Sequence, residues 1–153
     1  MKIAIGADHK GFEFKQKVEQ ILTGLGHEVV DFGTDSTESV DYPDFGLRVA
    51  NAVASGEVDR GITICWTGNG MNITANKVRG VRAGLALNAD MAHLTRLHND
   101  ANVLSLASKY TPEDQLEEIV RQFLQTEFEG GRHITRLDKI RRAESGRSSP
   151  FGA

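Results

Sequence analysis

Cys65 is the first candidate for chemistry in this sequence, and it is the only cysteine among the 153 residues. It ends an apolar, β-branched run at 61–65, and a glycine-containing loop at 66–70 follows it. The backbone N–H groups of such a strand–loop–helix turn can hold an oxyanion or a phosphate, and the thiol would stand beside them. The alternative is a buried structural thiol, because free cysteine is among the most buried residue types. The segment alone leaves both interpretations open.

Two polar clusters lie at other element boundaries. Asp8, His9 and Lys10 put an acid, an imidazole and an amine into one strand-to-helix turn, where Asp8 could instead serve as a helix cap. The second cluster is the run His-Asn-Asp at 98–100. An imidazole titrates near neutral pH and suits acid–base chemistry, although His98 could equally be a capping or surface residue.

Arg132 and Arg136 form a third candidate group, because they are four residues apart at the start of an expected helix. This spacing places both on one helix face, where positive charge opposes the helix dipole. An anionic ligand or an acidic partner surface would explain the placement. A solvated face is the alternative, since isolated surface charges cost little.

Composition excludes several classes of function. With a net charge of −3 the chain has no basic field for nucleic acid, and no apolar run is long enough to span a bilayer. The turn at 6–11 reads GADHKG, which lacks the dinucleotide-binding glycine pattern. The histidines show no metal-ligand spacing, although an isolated carboxylate–histidine site stays open. A lone cysteine and the absence of a signal-peptide pattern predict a cytoplasmic location. The net charge and the lack of a long apolar run predict neither a nucleic-acid nor a membrane partner.

Strands and helices alternate along the chain. Hydrophobic spacing predicts strands at 2–7, 28–32, 61–65, 82–87 and 101–107, and helices at 11–25, 41–54, 71–77, 89–97, 111–123 and 133–144. In the fifth helix, Thr111 is expected as the N-cap and Pro112 as the first helical residue. Alternating strands and helices predict an α/β protein with a parallel sheet covered on both faces.

Ligands of such sheets gather beyond the carboxyl ends of the strands. The expected site therefore includes Asp8 and His9 after the first strand, the segment 65–70 after the third, and Ser108 and Lys109 after the fifth. One domain is expected over 1–144. The Ser-, Gly- and Pro-rich tail at 145–153 is expected to be disordered.

The motifs together resemble a known family, ribose-5-phosphate isomerase type B, which also includes galactose-6-phosphate isomerase subunits. The resemblance covers about 2–140 and rests on these segments in order: DHKG at 8–11, DYP at 41–43, CxTGxG at 65–70, ANK at 75–77, GxRA at 80–83, HNDxNV at 98–103 and GGRH at 130–133. It implies a Rossmann-like three-layer sandwich with a five-stranded parallel sheet. It also implies a homodimer or a pair of dimers with shared active sites, and neither a cofactor nor a metal.

The resemblance also implies an activity and roles for single residues. The activity is the aldose–ketose interconversion of ribose 5-phosphate and ribulose 5-phosphate through an enediolate. Cys65 resembles the base, Thr67 part of the anion hole, and His98, with Asp8 nearby, the group that opens the sugar ring. The other implied substrate- and phosphate-binding residues are His9, Trp66, Gly68, Asn69, Gly70, Asn99, Lys109, Arg132 and Arg136. Of these, Asn99 and the two arginines, together with His98, would come from the partner subunit.

Three residues depart from the family pattern, in which Trp66 is usually glycine, Asn72 a small residue and Lys109 often arginine. One branch of the family has its base, a glutamate, at position 71. Here that position is Met71, so the base is assigned to Cys65. Because of these departures, the substrate could instead be another sugar phosphate (allose, galactose or tetrose phosphate). A sugar-phosphate-binding module without turnover, or one subunit of a heteromeric isomerase, are the alternatives from other classes.

Overall fold

A five-stranded parallel sheet with helices on both faces forms the fold of the computed structural model, which describes residues 1–146. The strands are β1 (Lys2–Ala7), β2 (Glu28–Asp31), β3 (Arg60–Cys65), β4 (Ala83–Leu85) and β5 (Val103–Ala107). The helices are α1 (Phe12–Gly24), α2 (Tyr42–Ser55), α3 (Asn69–Ala75), α4 (Ala89–Asn99), α5 (Leu116–Gln125) and α6 (Arg132–Glu144). The predicted α/β class and five-stranded parallel sheet are confirmed, with strand order β2-β1-β3-β5-β4.

The two faces of the sheet carry separate hydrophobic clusters, because successive strand side chains point to opposite faces. Ile3 and Ile5 of β1 pack on one face with α1, α4 and α5. Ala4, between them in sequence, packs on the other face with α2 and α3. The sheet is thus the middle layer of three. Within residues 1–146, none of the helices combines the length and apolar character that crossing a bilayer requires.

Several predicted boundaries are wrong, and one of them concerns capping. Thr111 does not cap a helix: Pro112 is extended, with ψ of 131°, and a 3-10 turn at Glu113–Gln115 precedes α5. The Thr111 hydroxyl is buried without a hydrogen-bond partner among the described residues. The residues at 111–114, whose types are typical of a helix start, therefore belong to the turn that precedes α5.

The other boundary differences affect the site more directly. β4 and β5 are shorter than predicted, because Arg82 and Asn102 lie in the loops before these strands. There the Arg82 N–H donates to the side-chain Oδ1 of Asn102 at 2.8 Å. α3 begins at Asn69 rather than Met71, and α4 continues to Asn99. Ser145 and Gly146 form a turn after α6; the rest of the tail predicted to be disordered, 147–153, lies outside the described residues.

Candidate active site

The turns after β1, β3 and β5 meet at the carboxyl edge of the sheet. The Asp8 N–H donates to Ile64 O at 3.2 Å, and the Ser108 N–H donates to Cys65 O at 3.0 Å. The Ser108 hydroxyl also donates to Lys10 O at 2.9 Å, which ties the first and last of these turns together. Parallel strands end at the same edge of a sheet, so residues far apart in sequence are held side by side here.

Cys65 lies at the centre of this edge, as the last residue of β3 and opposite Ala107 of β5. Its side chain is buried, as the structural alternative expects. Its position, directly before the loop at 66–70, is what the chemical interpretation expects. No side chain is tolerated at Gly68 in this loop, where φ is +76° and a Cβ would lie 2.4 Å from Leu85 Cδ1.

The loop at 66–70 presents backbone N–H groups. Gly68 precedes the first residue of α3, and the first N–H groups of a helix have no intrahelical acceptor. Within residues 1–146, no hydrogen bond is formed by the N–H of Asn69 or Gly70. The two N–H groups are therefore free to donate to a ligand, and Thr67 next to them is half-buried.

Asp8 closes the turn after β1. Its Oδ1 accepts from the N–H groups of Lys10 at 3.0 Å and Gly11 at 2.9 Å. The helix-cap interpretation of Asp8 is therefore wrong: the N-cap of α1 is Gly11, and the Asp8 carboxylate closes the turn that precedes the helix. Burial raises the pKa of the Asp8 carboxyl, and these hydrogen bonds and the charges of His9 and Lys10 only partly oppose the shift. His9 is oriented through its Nδ1, which accepts from Val40 N–H at 3.2 Å. Its Nε2 therefore carries the proton.

A positive rim surrounds Trp66, whose side chain is 45% exposed. The ammonium groups of Lys10 and Lys109 lie 5.6 Å and 5.4 Å from the indole centroid, and Lys109 is also 5.3 Å from the Tyr110 ring. These are cation–π distances. Two cations thus lie near the indole that directly follows Cys65, an arrangement that the sequence pattern did not indicate.

His98 and Asn99 lie at the opposite, amino edge of the sheet. They form the last turn of α4, just before β5 begins. Arg82 fixes this turn by donating to Asn99 O and Asp100 O, each at 2.9 Å. Asp100, with φ of 46°, accepts from Arg96 at 2.9 Å. Arg82 and Arg96 thus hold the turn at 98–100 in place.

His98 stacks on His133 of α6, with ring centroids 4.4 Å apart and planes 16° from parallel. His133 is buried and hydrogen-bonds Glu129 Oε2 through Nε2 at 2.9 Å. Arg132 precedes it in sequence, and Arg136 lies one helical turn further on. Both arginines are exposed, and neither forms an ion pair within the described part of the chain. His133 and Glu129 had no expected role; only their four-residue spacing could have indicated the pair.

His98, Glu129 and His133 also place their possible metal-ligand atoms within 4.8 Å of one another. A metal ion lies near the plane of each imidazole that binds it, and a tetrahedral ion needs convergent ligands. Two stacked, nearly parallel rings do not converge in this way. The arrangement is therefore a ring stack, and a metal could bind only after one ring had rotated.

The expected site residues thus form two groups in one chain. The carboxyl-edge group contains Asp8, His9, Cys65, the loop at 66–70 and Lys109. The amino-edge group contains His98, Asn99, Arg132 and Arg136. Cys65 is paired with Ala107, and α4 joins the other end of β5, whose four residue steps span about 13 Å. The two groups therefore lie at opposite edges of the sheet, separated by the length of β5.

The chain belongs to the ribose/galactose isomerase family, because it matches the sequence model of that family over residues 3–140. The chain is 45% identical to ribose-5-phosphate isomerase B of Escherichia coli strain K12 over 147 residues, covering 96% of this chain and 99% of the relative.

Solved structures agree with this assignment. Ribose-5-phosphate isomerase B of Clostridium thermocellum superposes with a TM-score of 0.94 at 53% identity, covering 97% of this chain and 100% of that one. Ribose-5-phosphate isomerase B of Mycoplasma genitalium, solved with bound ribulose-5-phosphate, superposes with a TM-score of 0.89 at 42% identity, covering 94% of this chain and 96% of that one.

Proposed function

We propose that this protein interconverts ribose 5-phosphate and ribulose 5-phosphate by moving a proton between C2 and C1. The observation that carries the proposal is the position of Cys65 at the carboxyl end of β3, directly before a loop with unpaired N–H groups, in a chain of this family. The bound ribulose-5-phosphate of the Mycoplasma relative supports a five-carbon sugar phosphate as the substrate.

Cys65 acts as the base in this proposal. Its thiolate removes the C2 proton of the open-chain aldose, and the C1 carbonyl oxygen becomes the charged oxygen of the enediolate. A proton then passes from the C2 hydroxyl to O1, C2 becomes the carbonyl carbon, and the thiol returns its proton to C1. The N–H groups of Asn69 and Gly70 support the reaction by stabilising the enediolate oxygens, with Thr67 beside them.

Before this step the furanose ring must open. We assign that proton transfer to His98, whose imidazole can accept the C1 hydroxyl proton and deliver one to the ring oxygen. Asn99 binds sugar hydroxyls. Asp8 acts chiefly by closing the turn that carries His9.

The phosphate binds to cationic and N–H donors away from the reacting carbons. We assign Arg132 and Arg136, which have no carboxylate partner within residues 1–146, together with His9 Nε2 and Lys109. Arginine presents a planar fork to phosphate oxygens, whereas lysine contributes a point charge. Binding energy at the phosphate can be used to orient the sugar.

The active enzyme is then a homodimer, or a pair of such dimers. The separation of about 13 Å along β5 supports this, because Cys65 and His98 must both reach C1 and C2. Each site is formed by the carboxyl-edge group of one subunit and the amino-edge group of its partner. We place the enzyme in the cytoplasm, since reducing conditions keep a catalytic thiol free.

Trp66 gives a specific reason to test other sugar phosphates. Its exposed indole, flanked by Lys10 and Lys109, occupies space directly after Cys65 that a glycine would leave open. A smaller substrate than a hexose phosphate is therefore expected, which leaves tetrose phosphates as the second candidate. A binding module without turnover has no need of a base beside an anion-binding loop.

The test is the isomerisation rate of the purified protein with ribose 5-phosphate, beside allose, galactose and erythrose phosphates. We expect preference for ribose 5-phosphate in the unsubstituted protein and no turnover by Cys65→Ala. Faster turnover of another sugar phosphate would change the substrate but keep the mechanism. Phosphate-dependent thermal stabilisation without turnover of any sugar would overturn the proposal in favour of a binding module.

A further inference from the structure

We propose that His133, fixed by Glu129, is a positioning residue that holds the imidazole of His98 in the plane required for opening the sugar ring. This inference rests on the proposed function, since it assigns a partner to the ring-opening group. Its structural basis is the His98–His133 stack and the hydrogen bond behind it.

The side chain of His98 has no other directional contact. It lies half-buried in the last turn of α4, and no hydrogen bond to its ring is formed by any residue from 1 to 146. An unrestrained imidazole at a helix end can occupy several rotamers. The ring of His133, 4.4 Å away and nearly parallel, is the contact that selects one of them.

His133 is itself rigidly held. Its ring is buried, and its Nε2 is 2.9 Å from Glu129 Oε2. An ionised carboxylate only accepts, so Nε2 carries the proton and the ring orientation is fixed. The Glu129 N–H in turn donates to Leu97 O at 2.9 Å. The contacts thus form a closed circuit: Leu97 precedes His98, His98 stacks on His133, His133 bonds Glu129, and Glu129 returns to Leu97.

The turn between Glu129 and His133 makes this circuit possible. Gly130 and Gly131 have φ of 72° and 54°, a region that L side chains rarely adopt. They turn the chain sharply into α6, so that its second residue faces the end of α4. The two glycines therefore serve the placement of the His133 ring.

A stack suits a ring-opening group better than a hydrogen bond would. General acid–base catalysis needs a nitrogen that is both correctly aimed and free to exchange a proton. A hydrogen bond would fix the ring by occupying one of its nitrogens. The stacked His133 fixes the plane of the ring and leaves both nitrogens of His98 unoccupied.

Two substitutions separate the stack from the hydrogen bond. His133→Gln keeps a donor for Glu129 but removes the aromatic face, whereas His133→Phe keeps the face and removes the donor. His93→Gln is the matched control. Like His98, His93 is a half-buried histidine of α4, and its Nδ1 lies 3.0 Å from Thr126 Oγ1. Thermal unfolding of all three variants identifies any general loss of folding.

The first readout is the kcat and KM for ribose 5-phosphate. We expect His133→Gln to lose about 10²-fold in kcat with little change in KM, which is the cost of misplacing a catalytic group by about 1 Å. His133→Phe should recover most of that loss, and His93→Gln should behave as the unsubstituted protein does. Equal rates for His133→Gln and the unsubstituted protein, or no recovery in a folded His133→Phe, would overturn the proposal.

The second readout isolates the ring-opening step. The substrate 4-deoxyribose 5-phosphate lacks the hydroxyl that closes the furanose ring, so it stays an open-chain aldehyde. The loss caused by His133→Gln should be much smaller with this substrate, and an equal loss with both would contradict positioning for ring opening. Cys65→Ala should lose turnover of both substrates; if it does not, the assignment of the base is wrong, whatever His133 does.

Discussion

Mixing two inactive variants tests whether the site is built across two subunits. Cys65→Ala removes the proposed base from the carboxyl-edge group, and His98→Ala removes the proposed ring-opening group from the amino-edge group. Four residue steps of β5, about 13 Å, separate these groups in one chain, so in the proposed dimer each group acts with its counterpart on the partner subunit. Each variant alone is then inactive, because each of its sites lacks one residue.

The expected activity of the mixture follows from two-fold symmetry. After random subunit exchange, about half of the dimers are heterodimers, and one of the two sites in each heterodimer carries both intact residues. The mixture should therefore recover about a quarter of the activity of the unsubstituted dimer.

The assay is ribulose 5-phosphate formation, measured before and after exchange of equimolar variants. Native mass spectrometry of the same samples establishes the heterodimer fraction. Cys65→Ala mixed with itself controls for dilution. An absence of recovered activity in a sample with the expected heterodimer fraction would refute the two-subunit site, because sites within one chain would each carry one substitution.

Three further predictions concern the rim, the turn after β1 and the core. Trp66→Gly releases Lys10 and Lys109, so KM for ribose 5-phosphate should rise several-fold and the preference over allose phosphate should fall; an unchanged preference would contradict a role for the indole. Burial raises the folded-state pKa of Asp8, so this carboxyl contributes stability that is present below its unfolded pKa and is lost as pH rises through its folded pKa. The free energy of unfolding of both proteins is measured by urea unfolding at pH 7 and at pH 4. Asp8→Asn should lack the increase at pH 4 that the Asp8 carboxyl gives the unsubstituted protein, and an identical pH dependence in both proteins would contradict this role. Thr63→Val leaves the buried Ser105 hydroxyl, now 2.9 Å from Thr63 Oγ1, without a partner, and should lower the free energy of unfolding by about 1–3 kcal/mol; Thr63→Ser, which keeps the hydroxyl, should lose less.

Local patterns predicted the sheet well where burial decides the structure. β1 spans the predicted residues 2–7, because alternating Ile3, Ala4 and Ile5 must fill both faces of a covered strand. The carboxyl-edge group was predictable for a topological reason: parallel strands end at one edge, so the residues that follow them meet.

The differences arise where tertiary contacts override local composition. Pro112 is extended rather than helical, so the 3-10 turn at Glu113–Gln115 replaces the expected first turn of α5. The stack of His133 on His98 depends on how α6 packs on α4 after the turn at Gly130 and Gly131. No local pattern encodes that packing, and the sequence motif alone therefore could not give His133 a role.

Ribose 5-phosphate deuterated at C2 shows whether Cys65 moves the C2 proton of the sugar phosphate. We expect the unsubstituted protein to convert the deuterated sugar several-fold more slowly than the protiated one, and a folded Cys65→Ala to convert neither. Conversion by Cys65→Ala at the rate of the unsubstituted protein would show that another group moves the proton, and Cys65 would not be the base.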